Sequence, residues 1–394
     1  MKKYKISMWN YVDAGVMDAE RAVRDWKDAG INLPMSFEYK PGDDKSYMLR
    51  LLDLCHKEGM RVIVCDARTR FSAYEKNGEA AFTAGVREAI ADFGGHPATF
   101  GFHIGDEPGA KNWEAAVSAF TVVNRLAPSL THFINLFPYW EEANFTSVLG
   151  IPDGVDPLVG YADKCIDFVR RTGAKIISLD CYGQCAYFDR DYYQDCFIKN
   201  MRLLNMVAEA TGAEIFISVL CTGHWAYRVP TPDDFRWQVA VSAAHGATGI
   251  HWFFFYQKTY DFSFRLNPVD LFGDRTSTFA PLSYENRVFL KFFAPRLERL
   301  TFRKVSYYNR PYGGYPLVRY NADLAGIDTI ICDTSVAVTE WVRDDGTPAY
   351  TFVNMDRENP TKLRLRFGGV LAKNNTDVWL VPGQMVLADA DGLR

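Results

Sequence analysis

The residues best suited to chemistry are two adjacent carboxylates, Asp106 and Glu107. They close the run Thr99-Phe100-Gly101-Phe102-His103-Ile104-Gly105-Asp106-Glu107-Pro108. The run reads as a short apolar strand that stops at the acidic pair, with Pro108 unable to extend the ladder. A carboxyl group beside a second carboxylate, walled by Phe102 and tryptophan-bearing loops, keeps its proton to higher pH, because like charge and desolvation both disfavour ionisation. Glu107 is therefore the expected proton donor of a general-acid reaction, and Asp106 its positioner. The competing reading is that Asp106-Glu107-Pro108 caps a helix beginning near Asn112.

The elements that hold this pair follow from the hydrophobic period. Strand-like runs occur at residues 5–10, 31–38, 61–66, 99–105, 132–137, 175–180, 214–220 and 249–255. Stretches with helical spacing separate them, and several end in glycine just before the next strand, as at Ala29-Gly30, Glu58-Gly59, Thr172-Gly173 and Thr211-Gly212. Regular alternation of this kind predicts an α/β chain, a (β/α)8 TIM barrel over residues 1–300. After Leu300 the helical period disappears. Short runs such as Ile327–Cys332, Val336–Trp341 and Lys362–Phe367 alternate with Gly, Asn and Asp turns, and Asp344-Asp345-Gly346 signals a hairpin. Residues 301–394 are expected to form a C-terminal antiparallel β-sandwich-like domain packed on the barrel.

In a barrel the C-terminal strand ends converge on one face, so each end can be examined for polar groups. They supply Trp9, Glu38, Asp66, the Asp106-Glu107 pair, Asn135, Asp180 with Tyr182, His224 with Trp225, and Tyr256 with Gln257. Carboxylates to move protons, amides to bind hydroxyls and aromatic faces to stack on pyranose rings suit a sugar-cleaving site. His103 and His251 lie within strands and are expected to be interior. His224, past a strand end, is placed to meet a ligand. No Ser-His-Asp set, phosphate-cradling glycine loop or dinucleotide fingerprint is present, so no cofactor is expected.

His96-Pro97 followed by Gly101 to Pro108 resembles the fourth-strand signature of barrel glycoside hydrolases of the clan A type, in which Asn-Glu-Pro or Asp-Glu-Pro carries the acid/base. The resemblance covers the barrel, and only the fourth-strand motif is specific. It implies a hydrolase cleaving O-glycosidic bonds with Glu107 as acid/base, acting on an oligosaccharide or polysaccharide. That clan also places a glutamate nucleophile at the end of strand seven. Here the corresponding run, Ile215 to Trp225, ends without a carboxylate.

The second carboxylate must then come from Asp180, Asp66 or Glu38. Asp180 is favoured because it closes a clean strand and precedes Tyr182. Two strands away at ~4.8 Å per strand, its carboxyl group is expected at the ~6.5–9.5 Å separation of an inverting pair. A different route is substrate assistance, since an Asp-Glu pair without a protein nucleophile resembles hexosaminidase-type enzymes, with Asp106 orienting an acetamido group. A non-catalytic carbohydrate-binding barrel is the rival from another class.

Composition narrows the partners. The formal net charge is −4, with 48% hydrophobic and 23% charged residues, which disfavours nucleic acid and anionic membranes. Aromatics reach 15%, including nine Trp and 21 Tyr, more than a core alone requires. No run approaches the ~18–20 apolar residues of a membrane span. The first residues carry no signal-peptide pattern, so the expectation is a cytoplasmic protein, or a secreted or periplasmic one whose signal was removed. The eight cysteines include no Cys-x-x-Cys pair, and Cys181 with Cys185 lacks the second pair a zinc site would use. Buried, reduced thiols and no metal site are expected.

Overall fold

The computed structural model describes residues 3–141, 143–258, 263–318 and 324–394, with side chains omitted at 143–145. Eight parallel strands alternate with helices: β1 Lys5–Met8, β2 Leu33–Pro34, β3 Val62–Val64, β4 Thr99–Asp106, β5 Phe133–Asn135, β6 Ile176–Asp180, β7 Glu214–Leu220 and β8 Gly249–Phe253. The longer intervening helices are α1 Ala19–Asp28, α2 Lys45–Lys57, α3 Phe71–Ala89, α4 Trp113–Leu126, α5 Pro157–Thr172, α6 Arg190–Thr211 and α7 Pro232–Ala244, and α8 Phe279–Phe292 follows β8; a short helix, Ala143–Leu149, precedes α5. Each strand is shorter than its apolar run except β4 and β7. The apolar residues beyond the strand ends pack from irregular backbone.

Hydrogen-bonded pairing runs β2-β1-β8-β7-β6 in one parallel sheet and β3-β4-β5 in another. Isolated parallel bridges link the two sheets, Met35 to Ile63 between the second and third runs and Leu136 to Leu179 between the fifth and sixth. Every one of the eight strand runs therefore has two parallel neighbours.

The period of two sorts side chains between two cores. Val62 and Val64 face the helices while Ile63 points inward, and Ile215, Ile217 and Val219 face outward while Phe216 points inward. The interior is filled by Leu33, Met35, Ile63, Cys65, Phe100, Phe133, Ile176 and Phe216. His103 and His251 are fully buried there, His103 edge-on to Trp9 at 4.9 Å and His251 stacked on Phe133 at 4.8 Å.

Helix starts are defined by caps. Asp18 accepts from the Arg21 amide ahead of α1, Asp156 from Val159 ahead of α5, and Thr231 forms a reciprocal capping box with Asp234 ahead of α7. The acidic pair of β4 is not a cap: α4 begins after Asn112, and no side chain caps it.

Beyond α8 the chain is antiparallel. The strands are β9 Leu300–Tyr308, β10 Ile327–Ile331, β11 Val336–Arg343, β12 Pro348–Asn354, β13 Thr361–Phe367, β14 Thr376–Leu380 and β15 Met385–Asp389. One sheet runs β9-β11-β12-β15 and ends on the short pair Gly392–Leu393; the other runs β10-β13-β14. Val336, Val338, Phe352 and Val386 from the first share an apolar core with Ile330, Leu363, Leu365 and Leu380 from the second. The alternate residues Ala337, Trp341, Val353, Met385 and Leu387 join the helix-side core of the parallel half. The Thr339 hydroxyl donates to the Ala244 carbonyl at 2.7 Å, and the Trp237 indole to the Met355 carbonyl at 3.2 Å. The first sheet is thus covered on both faces. All eight cysteines are buried and unpaired.

Candidate active site

Strand register assembles the site. Asp106 pairs with Asn135, Leu136 bridges Leu179, and Asp180 pairs with Ser218, so Asp106, Asn135, Asp180 and Ser218 form a row across β4 to β7. All four point inward at the C-terminal ends. They line a cleft of about 450 Å3 with Glu107, Trp9, Tyr11, Phe137, Pro138, Trp140, Cys181, Tyr182, His224, Trp225, Tyr227 and Phe253.

Asn135 is the bridge of the row. Its side-chain N–H donates to Asp106 Oδ1 at 3.2 Å and to Asp180 Oδ1 at 2.9 Å. Its carbonyl oxygen accepts from Ser178 at 3.1 Å, which fixes the amide's orientation. The Tyr11 hydroxyl donates to Asp106 Oδ2 at 3.1 Å. Asp106 therefore has a donor on each oxygen. Burial raises its pKa, opposed by the Asn135 and Tyr11 hydrogen bonds and by the Arg70 charge.

Glu107 is arranged differently. Its backbone has φ +46°, a conformation L residues rarely adopt. The turn is set up by Gly105 at φ +155°, where a Cβ would come within 2.3 Å of the Phe71 ring. The Glu107 amide donates to the Asn135 carbonyl at 2.9 Å, anchoring the twisted residue to β5. Its carboxyl group lies against Asp180, with Tyr182 beside them in the cleft lining. Burial, then the charges of Asp180 and Asp106, raise the Glu107 pKa far above the ordinary carboxyl range. Asp180 is raised too, by burial and Asp106, but its bonds to Asn135, Glu107 and Tyr182 oppose the shift. Burial and the neighbouring carboxylates thus hold both groups toward their protonated forms. The left-handed turn and the amide bond to Asn135 direct Glu107 over β5 toward Asp180 on β6.

The other residues singled out in the sequence divide. Trp9, Asn135, Tyr182, His224 and Trp225 line the cleft. Asp66 does not: it is wholly buried, holding Arg68 Nη2 at 2.7 Å. Glu38 sits beside Arg70 Nη2 at 3.5 Å, outside the lining. Tyr256 is fully buried in the helix-side core, 5.7 Å from Phe37, so the expected cleft contact fails. The chain has turned past the end of β8, and Phe253 faces the cleft in its place. Gln257 binds Val269 through its backbone and lies outside the lining. Phe102, expected as a wall of the acid, faces the helices and stacks on His132. Tyr11 stands beside Trp9 at the end of the first strand run, and Ser178 and Ser218 carry no signal of a site role in the sequence. Tyr11 shares a face with Trp9 two residues earlier, and the two serines sit at inward positions of strands where an apolar residue would ordinarily stand. Among the described residues, no group of three or more His, Cys, Asp or Glu side chains is arranged to hold a metal ion. Nor is any described helix long and apolar enough to cross a membrane.

No family model and no curated relative matches the sequence. Solved structures do. An endo-β-1,4-mannanase from Thermotoga petrophila aligns over 99% of this chain and 98% of its own, with TM-score 0.51 and 10% identity. A β-galactosidase from the psychrophilic Marinomonas ef1 aligns over 75% of this chain and 62% of its own, with TM-score 0.54 and 11% identity. The chain spans about half, 51%, of a β-galacturonidase from Eisenbergiella tayi, which aligns over 72% of this chain with TM-score 0.49 and 14% identity. The two of these neighbours above TM-score 0.5 are glycoside hydrolases, and the likeness is one of fold.

Proposed function

We propose that this protein is a glycoside hydrolase, built as a (β/α)8 barrel over residues 1–300 with a β-sandwich-like domain over residues 301–394. The two parallel neighbours of every strand support the barrel, and the separate apolar core of the antiparallel sheets supports the domain division. The observation that carries the function is the grouping of Glu107, Asp106 and Asp180 in one aromatic cleft at the strand ends.

A glycosidic oxygen leaves as an alcohol only if it gains a proton as the C1–O bond breaks. Glu107 holds that proton at neutral pH, when an ordinary carboxyl group has lost it. As the bond breaks, positive charge spreads over C1 and the ring oxygen. Asp180 and Asp106, fixed by Asn135, Tyr11 and Tyr182, present negative charge without reorganising. Trp9, Trp225 and Tyr182 offer apolar surface to the ring. Turnover of a panel of aryl glycosides, with Glu107→Gln as control, tests this reading. Sugar binding without any product release would favour the non-catalytic carbohydrate-binding alternative.

The closeness of Glu107 to Asp180 favours a second reading of the route. An inverting pair needs room for water between its carboxyl groups, whereas Glu107 and Asp180 stand close enough to perturb one another strongly. Substrate assistance needs no such gap: an acetamido oxygen attacks C1, Glu107 protonates the leaving oxygen, and water later opens the cyclic intermediate. This route predicts that 2-acetamido glycosides turn over with retention, read by NMR of the first-formed sugar, while their 2-hydroxy counterparts do not. Turnover of 2-hydroxy glycosides with inversion would instead assign the water to Asp180.

A further inference from the structure

Three of the most exposed large apolar side chains in the described chain stand together beside the cleft: Trp225 at 71% exposure, Tyr187 at 70% and Phe188 at 61%. They lie on two loops that form a small antiparallel ribbon. Ala186 bridges Tyr227, and the Tyr187 amide donates to the Ala226 carbonyl at 3.1 Å. On its other side the ribbon continues through His224 to Phe264.

The ring nearest the cleft is rigidly mounted. Trp225 has φ +44°, and its indole stacks on His224 at 4.8 Å, which stacks on Phe264 at 4.7 Å. Tyr187 and Phe188 meet edge to face at 5.4 Å, leaving their outer surfaces open. Single exposed apolar side chains are ordinary, but a cluster continuous with a cleft marks a binding surface. Trp225 and Tyr227 belong to both the ribbon and the cleft lining.

Charge selects the occupant. None of the described residues lining the cleft is Lys or Arg, whereas three are carboxylic acids. An acidic sugar entering this space would meet like charge with no partner. We propose that the Tyr187–Phe188–Trp225 ribbon is a set of outer sugar-binding subsites, over which a linear, uncharged oligosaccharide leaves the cleft. The inference rests on the carbohydrate reading above. It adds Tyr187 and Phe188 as binding residues and specifies an extended neutral chain over a single sugar or a uronate polymer.

Binding to polymer is measurable without turnover. The whole protein is run in native gels containing galactomannan, mixed-linkage β-glucan, glycol chitin or polygalacturonate. Retardation by at least one of the neutral polymers, and none by polygalacturonate, is expected. Tyr187→Ala/Phe188→Ala should weaken the retarding affinity about tenfold, the scale of two lost aromatic contacts, with an unchanged melting temperature. Tyr187→Phe/Phe188→Tyr, which keeps both rings, should retain it. Failure of every neutral polymer to retard the protein would overturn the inference, as would equal retardation of the alanine variant or retardation by polygalacturonate. Loss of self-association in the alanine variant, without polymer binding in the parent, would also overturn it and reassign the ribbon to a protein interface. A protein that hydrolyses aryl glycosides but ignores polymers loses only this inference. One that binds neutral polymer without releasing product keeps it and loses the hydrolase reading.

Discussion

Glu107→Gln should make the protein more stable near neutral pH while removing its proposed acid. The native state keeps a proton on Glu107 that the unfolded chain releases above the ordinary value of 4.5. Below that value both states are protonated, and the group contributes no pH dependence. Above it the unfolded state binds one proton fewer than the native state, so stability falls with rising pH by about 1.4 kcal/mol per unit. From 4.5 to 7 is about 2.5 units, or about 3 kcal/mol of native stability lost to holding the proton. Glutamine carries a permanent N–H that can still donate to Asp180, and it does not titrate. The stability of the glutamine variant minus that of the parent should therefore grow by about 3 kcal/mol between pH 4.5 and pH 7. Asp180 titrates in both proteins and largely drops out of the difference. Urea unfolding of both at half-unit pH steps, followed by tryptophan fluorescence, measures the gap. A difference that stays flat across this range would mean that native Glu107 is ionised at neutrality, and the assignment of the proton to it would fall.

On substrates with poor leaving groups the same Glu107→Gln change should lower kcat at least ~10²-fold, and activated aryl glycosides should suffer less; equal loss on both would reject Glu107 as the acid. Asp180→Asn removes a negative charge that raises the Glu107 pKa, so the alkaline limb of kcat/KM should move to lower pH alongside a loss of activity; an unmoved limb would separate the two residues functionally. Gly105→Ala places a Cβ within 2.3 Å of Phe71 and should cost about 1–3 kcal/mol of stability by overpacking, measured by urea unfolding; a neutral result would show that the turn before Glu107 is not constrained there. Truncation after Leu300 should yield an aggregating fragment by sedimentation, because the helix-side core then loses Trp341, Val353, Met385 and Leu387; a soluble monomer would refute the packed role given to the antiparallel sheets.

The order of elements was legible because each strand run carries its own apolar period and each helix its own stop. Thr99 to Asp106 and Glu214 to Leu220 are strands over the stretch where the sequence reads apolar, and Gly173 and Gly212 end α5 and α6 in left-handed conformations. The lengths of the other strands were not legible. The run at 31–38 keeps only Leu33–Pro34 as strand, since burial selects apolar residues whether or not the backbone joins a ladder. Phe37 is wholly buried from irregular backbone. Met385–Asp389 carries no strand signal in the sequence, because β15 is buried along its length and lacks polar alternation.

For the site, strand-end position was informative only where side-chain direction could also be inferred. Asn135 and Asp180 fall on inward positions at the last residue of β5 and β6, and both line the cleft. Tyr256 lies three residues beyond the end of β8, where the period of two no longer applies, and its ring is buried against Phe37. The separation of the proposed catalytic carboxyl groups was beyond sequence reasoning for a related cause. Strand spacing fixes where Asp106 and Asp180 leave the sheet, but Glu107 follows Asp106 in a left-handed conformation that no residue type there announces. That one backbone dihedral governs how near the Glu107 carboxyl comes to Asp180. The chemistry proposed for this cleft depends on that turn as much as on the acids it presents.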